Sequence, residues 1–205
     1  MDLISANFRE MEVKYYNANF INPNAVNEFL ALYKDQGVYV LGAGIDKYYT
    51  NTSHPNLPAI RHRYNETRGE LTVKKKVEGN FVREEVNLLL AKSSLAEVEK
   101  MMQMLEYSTA LEISKLSHIF FLPETVISWY TVCDLQGNIL FCKDTGRKAS
   151  FIEVEAREDI DWMTKLEHDA DIVSRAIHKE VSKLTTAGLL LEREEKSLWE
   201  LFGET

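Results

Sequence analysis

"REMEVKYY", residues 9–16, sets Glu10, Glu12 and Lys14 at every second position, with Met11, Val13 and Tyr15 between them. At strand spacing the three ionic side chains share one face and the apolar ones the other. The pattern returns along the chain. Arg61 and Arg63 flank His62 and alternate with Ile60 and Tyr64; Lys74 and Lys76 sit opposite Val73 and Val77. Arg83 and Glu85 sit opposite Val82 and Val86, while Glu153, Glu155 and Arg157 sit opposite Ile152, Val154 and Ala156. Acid pairs and basic pairs are segregated onto different strands. Like charges gathered in this way repel unless something of opposite sign lies between them.

For any one strand, a solvated outer face is the simplest account. Taken together, the stripes invite another. A sheet of about eight strands closed into a barrel with its ionic faces inward has a bore wide enough for one small ligand. Lys14, Arg61, Arg63, Lys74, Lys76 and Arg83 then suit phosphate oxygens. Glu10, Glu12, Glu153 and Glu155 suit a hard divalent cation that bridges carboxylates to phosphates, as Mg²⁺ commonly does. The apolar faces would pack outward against helices. Periodicity alone does not choose between inward and outward.

The composition narrows the partners. The 205 residues are 45% hydrophobic, with 9 Gly and 4 Pro, enough for a proper core. A formal net charge of −8 argues against a nucleic-acid polymer, which needs a broad basic surface, but not against a small anion in a local basic pocket. No apolar run approaches membrane-spanning length, and "MDLISANFRE" shows no basic stretch leading into an apolar one. The expected location is cytoplasmic, where Cys133 and Cys142 are reduced and structural, and where "NTS" at 51 and "NET" at 65 carry no glycan.

Two textures divide the chain. Residues 1–158 read as short alternating segments interrupted by two helical patterns: "NPNAVNEFLALYKDQG", with Val26, Phe29, Leu30 and Tyr33 on one face, and "SSLAEVEKMMQMLEY", with Leu95, Val98, Met102 and Leu105. From residue 159 to 205 the sequence predicts a C-terminal helical pair, "DIDWMTKLEHDADIVSRAIHKEVSKL" and "LLLEREEKSLWELF", joined near "TTAG". The expectation is a single α+β domain: an antiparallel barrel with flanking helices and a helical extension.

The order of the stripes resembles the CYTH, or triphosphate tunnel metalloenzyme, superfamily, which includes a class of bacterial adenylyl cyclases and thiamine triphosphatase. Its E-x-E-x-K hallmark is met by Glu10, Glu12 and Lys14; "DKYY" at 46–49 is similar to its D-x-Y-Y/F strand, "RHR" at 61–63 to its R-x-R, and "LTVKKK" to its L-T-x-K. "REEVNL", the helix after it and the late "FIEVE" complete the order, over about residues 8–157. The resemblance implies a tunnel of eight antiparallel strands that binds a triphosphate, with Mg²⁺ or Mn²⁺ on the glutamates. It adds Lys115 and Arg157 as candidate phosphate-binding bases, and Glu85 and Asp134 as further candidate metal ligands. One departure stands out: where the family shows K-x-R, this chain has Lys115 followed by Ser117.

The implied activity is metal-dependent hydrolysis of the terminal phosphate of inorganic triphosphate, a nucleoside triphosphate or another organic triphosphate such as thiamine triphosphate. Glu10, Glu12, Lys14, Glu153 and Glu155 would be at its catalytic centre. A cyclase making cyclic AMP and pyrophosphate from ATP would use the same grip. A non-catalytic polyphosphate binder is the third reading, motivated by Ser117. Other clusters have plainer accounts. His168, Asp171, Arg175 and His178 fall on one helix face that is most simply solvated; His62 and His118 are expected on outward faces; Met101, Met102 and Met104 are expected to pack. Trp162 and Trp199 either dock the C-terminal helices or form a homodimer surface.

Overall fold

The computed structural model describes residues 9–65, 69–76, 82–90, 95–157, 159–162, 164–165, 169 and 171–203, without the side chains of residues 9, 10, 75, 76 and 82–84. The alternating segments are strands: β1 (Arg9–Asn17), β2 (Val38–Asn51), β3 (Ile60–Tyr64), β4 (Gly69–Lys76), β5 (Val82–Leu90), β6 (Tyr107–Phe121), β7 (Thr125–Cys133) and β8 (Ser150–Ala156). Helix α1 (Ala25–Tyr33) follows β1, and α2 (Leu95–Met104) lies between β5 and β6. After β8 come helix α3 (Ile172–Thr186), strand β9 (Leu190–Arg193) and helix α4 (Leu198–Phe202).

All the pairings are antiparallel, and the strands form one sheet in the order β5-β4-β3-β2-β6-β7-β8-β1-β9. The two edges of β1 explain how this ladder curls. One edge pairs with β8 from Glu12 to Tyr16. The other is shared: Arg9, Glu10 and Met11 face Val82–Glu84 of β5, while Tyr15 and Asn17 face Arg193 and Leu190 of β9. Among the described residues, the first eight strands therefore meet along a seam three residues long.

The apolar stripes turn outward and are covered. Val13, Ile127, Trp129, Ile152 and Val154 form one core with Ala25, Phe29 and Tyr33 of α1, with Trp162, and with Val173, Ala176, Ile177 and Leu184 of α3. Phe29 meets Tyr33, Phe120 and Trp129 edge-on, the geometry that the ring quadrupole favours. Val98 and Met102, one turn apart on α2, seat that helix on Tyr49 and Leu71. Of the three neighbouring methionines only Met102 packs, because Met101 and Met104 point to solvent. Both His62 and His118 lie on the outer face as expected; His62 is buried, and burial lowers the pKa of each imidazole.

The C-terminal helical pair is present; its second helix is shorter than the sequence pattern predicts, and residues 163, 166–168 and 170 of the first lie outside the described residues. Gly188, at φ +67, ends α3 in a conformation that suits glycine. "LLER" then takes the vacant edge of β1, so tertiary pairing overrides the helical pattern there. A new helix starts only at Ser197, whose side chain and Glu200 form a reciprocal capping box. Both tryptophans dock these segments: Trp162 Nε1 donates to the Arg157 carbonyl at 2.6 Å, and Trp199 stacks on Tyr48 with ring centroids 6.1 Å apart. No described helix is long and apolar enough to cross a membrane.

Candidate functional site

Directly opposed residues of paired strands project to the same face, so the register fixes which side chains are neighbours. Tyr48, Arg61, Thr72 and Asn87 form one row across β2 to β5, and Asp46, Arg63 and Glu70 another. Lys74 faces Glu85, and Lys76 faces Arg83, which in turn faces Glu10. On the other side Lys115 faces Gly44, Ser117 faces Tyr130, Glu153 faces Lys14, and Glu155 faces Glu12. The ionic stripes read from the sequence lie on one face of the sheet, except for Arg157, which falls beyond the end of β8. Glu10, Lys76 and Arg83 hold positions on it, and their side chains lie outside the described residues.

This face is interior. Tyr16, Tyr48, Ile113, Tyr130 and Phe151, all on it, are buried in one cluster with Leu198, Leu201 and Phe202 of α4. Charged side chains continue the same face and are withdrawn from water with them. Asp46 is 1% exposed, and the side chains of Arg61 and Lys115 are 13% and 12% exposed. Ionic groups so deeply placed need partners, because desolvation otherwise costs more than any fold supplies.

Asp46 is the anchor. Arg63 grips it with Nε on Oδ1 at 2.7 Å and Nη2 on Oδ2 at 2.9 Å, and Lys115 Nζ lies 3.6 Å from Oδ2. Burial pushes the Asp46 pKa up, but the charges of Arg63 and Lys115 outweigh it and hold the carboxyl well below the usual range. Lys115 has the opposite balance. Burial and the neighbouring Arg63 bring its pKa down to about 8, against the opposing pull of Asp46 and Glu153. Its ammonium also lies 4.2 Å from the centroid of the Tyr130 ring. Tyr130 in turn donates to Glu153 Oε1 at 2.5 Å, and burial together with that carboxylate pushes its pKa well up, so it stays a donor.

A second group lies across β3 to β5. Arg61 donates to Thr72 Oγ1 at 2.9 Å and to Glu70 Oε1 at 3.3 Å, and Lys74 pairs with Glu85 at 2.8 Å. On β1, the Lys14 ammonium donates to the Lys196 carbonyl and lies 5.5 Å from the Phe151 centroid. The main-chain N–H of Glu194 donates to the Lys14 carbonyl, and Tyr16 donates to the Glu194 carboxylate at 2.8 Å. The segment after β9 is thus laced to the strand that carries Glu12 and Lys14.

For a cation, the donor set is hard oxygen. Glu12 and Glu155 stand directly opposite each other, a like-charge pairing that costs energy in a sheet and that a divalent ion would relieve. Among the described residues no three acidic, histidine or cysteine side chains already converge as a metal cage. The α3 cluster offers none either: Arg175 pairs with Asp169, His178 bonds to Ser174, and His168 lies outside the described residues.

Two candidates from the sequence are engaged elsewhere. Arg157 follows the end of β8 and bonds to Asp159 and the Leu122 carbonyl. The Asp134 carboxylate organises the turn after β7, accepting from the N–H groups of Gln136 and Asn138 and from the Asn138 amide. Conversely, Asp46, Glu70 and Tyr130 belong to the site although no charge stripe marked them. Asp46 was within reach, because it alternates with Tyr48 as the other stripes alternate; Tyr130 sits in an apolar run that gives no signal.

No protein-family model and no curated protein matches the sequence. Solved structures match the fold. The PH1819 protein from Pyrococcus horikoshii OT3 aligns with a TM-score of 0.64 at 18% identity, covering 94% of this chain and 97% of that one. A candidate adenylate cyclase from Vibrio parahaemolyticus gives 0.61 at 18% identity over 94% and 97%. The Schizosaccharomyces pombe Pct1 RNA triphosphatase, solved with the Spt5 CTD, gives 0.54 at 13% identity over 91% and 88%. The chain shares its fold with these structures.

Proposed function

With that fold as premise, we propose that the interior ionic face binds a triphosphate together with Mg²⁺ or Mn²⁺, and that the chain hydrolyses the terminal phosphate. The observation that carries this is that Arg61 and Lys115 are largely withdrawn from water, and Arg63 and Lys74 partly so, on the same inward face as the opposed Glu12 and Glu155. A solvated stripe would leave these bases in water.

The bases divide into two kinds. Arg63 is pinned by Asp46 through the side-on Nε–Nη2 edge of its guanidinium, so it presents a fixed charge. Arg61 and Lys74 are held by Glu70 and Glu85, partners that anionic phosphate oxygens can replace without leaving a base unpaired. Lys115, with a pKa near neutrality, can hold or release a proton at Nζ beside the bound chain. Glu12 and Glu155, with Glu10 and Glu153, would hold the divalent cation, whose chemistry there is to neutralise phosphate charge and acidify a bound water. Attack by water on the terminal phosphorus breaks its bridging P–O bond and gives orthophosphate and the shortened polyphosphate. The fixed bases neutralise charge on the leaving group.

The Vibrio neighbour favours a second reading, in which a ribose 3′-hydroxyl attacks the α-phosphorus and pyrophosphate leaves. Ser117, on the inward face where the resemblance leads one to expect arginine, favours a third: binding without turnover. Phosphorus NMR of the purified chain with Mg²⁺ or Mn²⁺ and a panel of triphosphates separates the three. Orthophosphate release is the expected result, and it should vanish in the Glu10→Ala, Glu12→Ala double variant. Pyrophosphate with a cyclic nucleotide means a cyclase, perturbed resonances without products mean a binder, and no effect at all removes the triphosphate reading.

A further inference from the structure

Strand β2 is 14 residues long, yet β3 pairs only with its second half, from Ile45 to Tyr49. β6 pairs with β2 along the whole of its length, so the segment Val38–Ala43 has one occupied edge and, among the described residues, no strand on the other. Native sheets protect such edges with charge, proline or a bulge. This one is "VYVLGAG", without a charge or a proline, in a chain of net charge −8. Val38, Tyr39, Val40 and Leu41 are 66%, 43%, 41% and 59% exposed. Leu116 and Phe121, their neighbours on β6, are also exposed.

The order of side-chain sizes says what fits this edge. Its first half is large, Val38-Tyr39-Val40; its second half is small, Gly42-Ala43-Gly44; and Leu41 stands between. If the strand meets a second copy of itself antiparallel with Leu41 on the two-fold axis, Val38 falls opposite the partner's Gly44. Tyr39 then falls opposite Ala43, and Val40 opposite Gly42. Every bulky residue meets a small one, and the only like pair is Leu41 with Leu41. A shift of the axis by one residue to either side loses this match, because it brings bulky residues opposite each other or small ones together. Uncharged strands can also approach without the repulsion that two acidic surfaces would otherwise impose.

We propose that Val38–Gly44 is a self-pairing interface, through which two copies of this chain join their sheets in the order β6-β2-β2-β6 about a two-fold axis. Isologous contact of this kind closes at two subunits and hides both edges at once. It does not depend on the chemistry of the tunnel.

Sedimentation of the full chain across its accessible concentration range should give twice the chain mass. Leu41→Lys, which sets two ammonium groups against each other on the axis, should return the single-chain mass with an unchanged far-ultraviolet circular dichroism spectrum. The register is tested separately by mild oxidation. Leu41→Cys should cross-link to itself, since directly opposed residues lie within disulfide reach, whereas Val38→Cys and wild type should not. A single-chain mass at every concentration would overturn the proposal. A dimer that survives Leu41→Lys, or cross-links through Val38→Cys instead, would overturn it equally.

Discussion

Asp46→Asn is the sharpest probe of the interior face, because it removes one charge and little volume. Its carboxylate is 1% exposed and forms ion pairs with both Arg63 and Lys115. Removing one member of a buried pair costs about 3–5 kcal/mol, since the other charge is left without compensation. Two features reduce that cost here. The Arg63 side chain is 35% exposed and can recover some hydration, and Lys115 can shed its proton. A loss of about 2–4 kcal/mol is therefore expected, which for a domain of this size lowers Tm by roughly 10 °C. Without Asp46 the Lys115 pKa falls further below about 8, so the deficit should shrink as pH rises from 6 to 9.

An anion in the tunnel would supply the missing charge. Inorganic triphosphate should thus raise the Tm of Asp46→Asn more than that of wild type, though it binds a less well-ordered site. Thermal melts followed by circular dichroism, with and without triphosphate at several pH values, check both parts. A variant that melts within about 1 °C of wild type would show that Arg63 and Lys115 do not depend on Asp46, and would refute the anchor.

Lys115 titrates lower in the folded chain than unfolded, so the unfolded state binds more protons between about pH 8 and 10.5; its contribution makes the fold more stable as pH rises through that window. Urea denaturation of wild type and Lys115→Gln should diverge in pH dependence there, and parallel curves would contradict the shift. Glu155→Gln breaks the acid pair with Glu12 and should abolish any rise in Tm on adding Mg²⁺ or Mn²⁺, while costing less than about 1 kcal/mol in metal-free buffer. Retention of the metal-induced rise would remove Glu155 from the ligand set. Ser117→Arg adds a base to the inward face opposite Gly42 and Tyr130, and should speed phosphate release about tenfold or more if a missing donor limits turnover. An unchanged rate with intact binding would show that Ser117 is not the deficit.

The face that each ionic residue occupies was legible in the sequence, because strand periodicity is strict and the stripes are long. Glu12, Lys14, Arg61, Arg63, Lys74, Glu85, Lys115, Glu153 and Glu155 fall together on one face through register alone. What periodicity could not supply was the sign of curvature. That depends on α1, α3 and Trp162 covering the apolar side and on α4 lying against the ionic one. Nor could it foresee β9. "LLLEREE" has a helical pattern, and only the half-vacant edge of β1 makes a strand of its first residues. Arg157 was misplaced for a related reason. It continues the alternation of Glu153 and Glu155, but β8 ends at Ala156, and one residue beyond a strand the parity no longer holds.

The ion pairs within the tunnel also bear on why the chain tolerates such an interior. Burying Arg61, Lys74 and their acids is a poor way to stabilise a fold, since apolar side chains of similar volume do as well or better. On the proposed function, Glu70 and Glu85 occupy places that phosphate oxygens would take, and they keep the face electrically balanced before the ligand binds. Binding then exchanges one set of charge-assisted hydrogen bonds for another, and the net affinity is the difference between the two sets. Asp46 differs from these acids because it is sealed from water and held by two bases at once. An incoming phosphate can compete with Glu70 or Glu85 from the bore, but to compete with Asp46 it must also break the two-pronged grip of Arg63. The acids of the face therefore separate into exchangeable partners and one fixed anchor. Neutralising Glu70 or Glu85 should strengthen anion binding, whereas neutralising Asp46 should first of all weaken the fold.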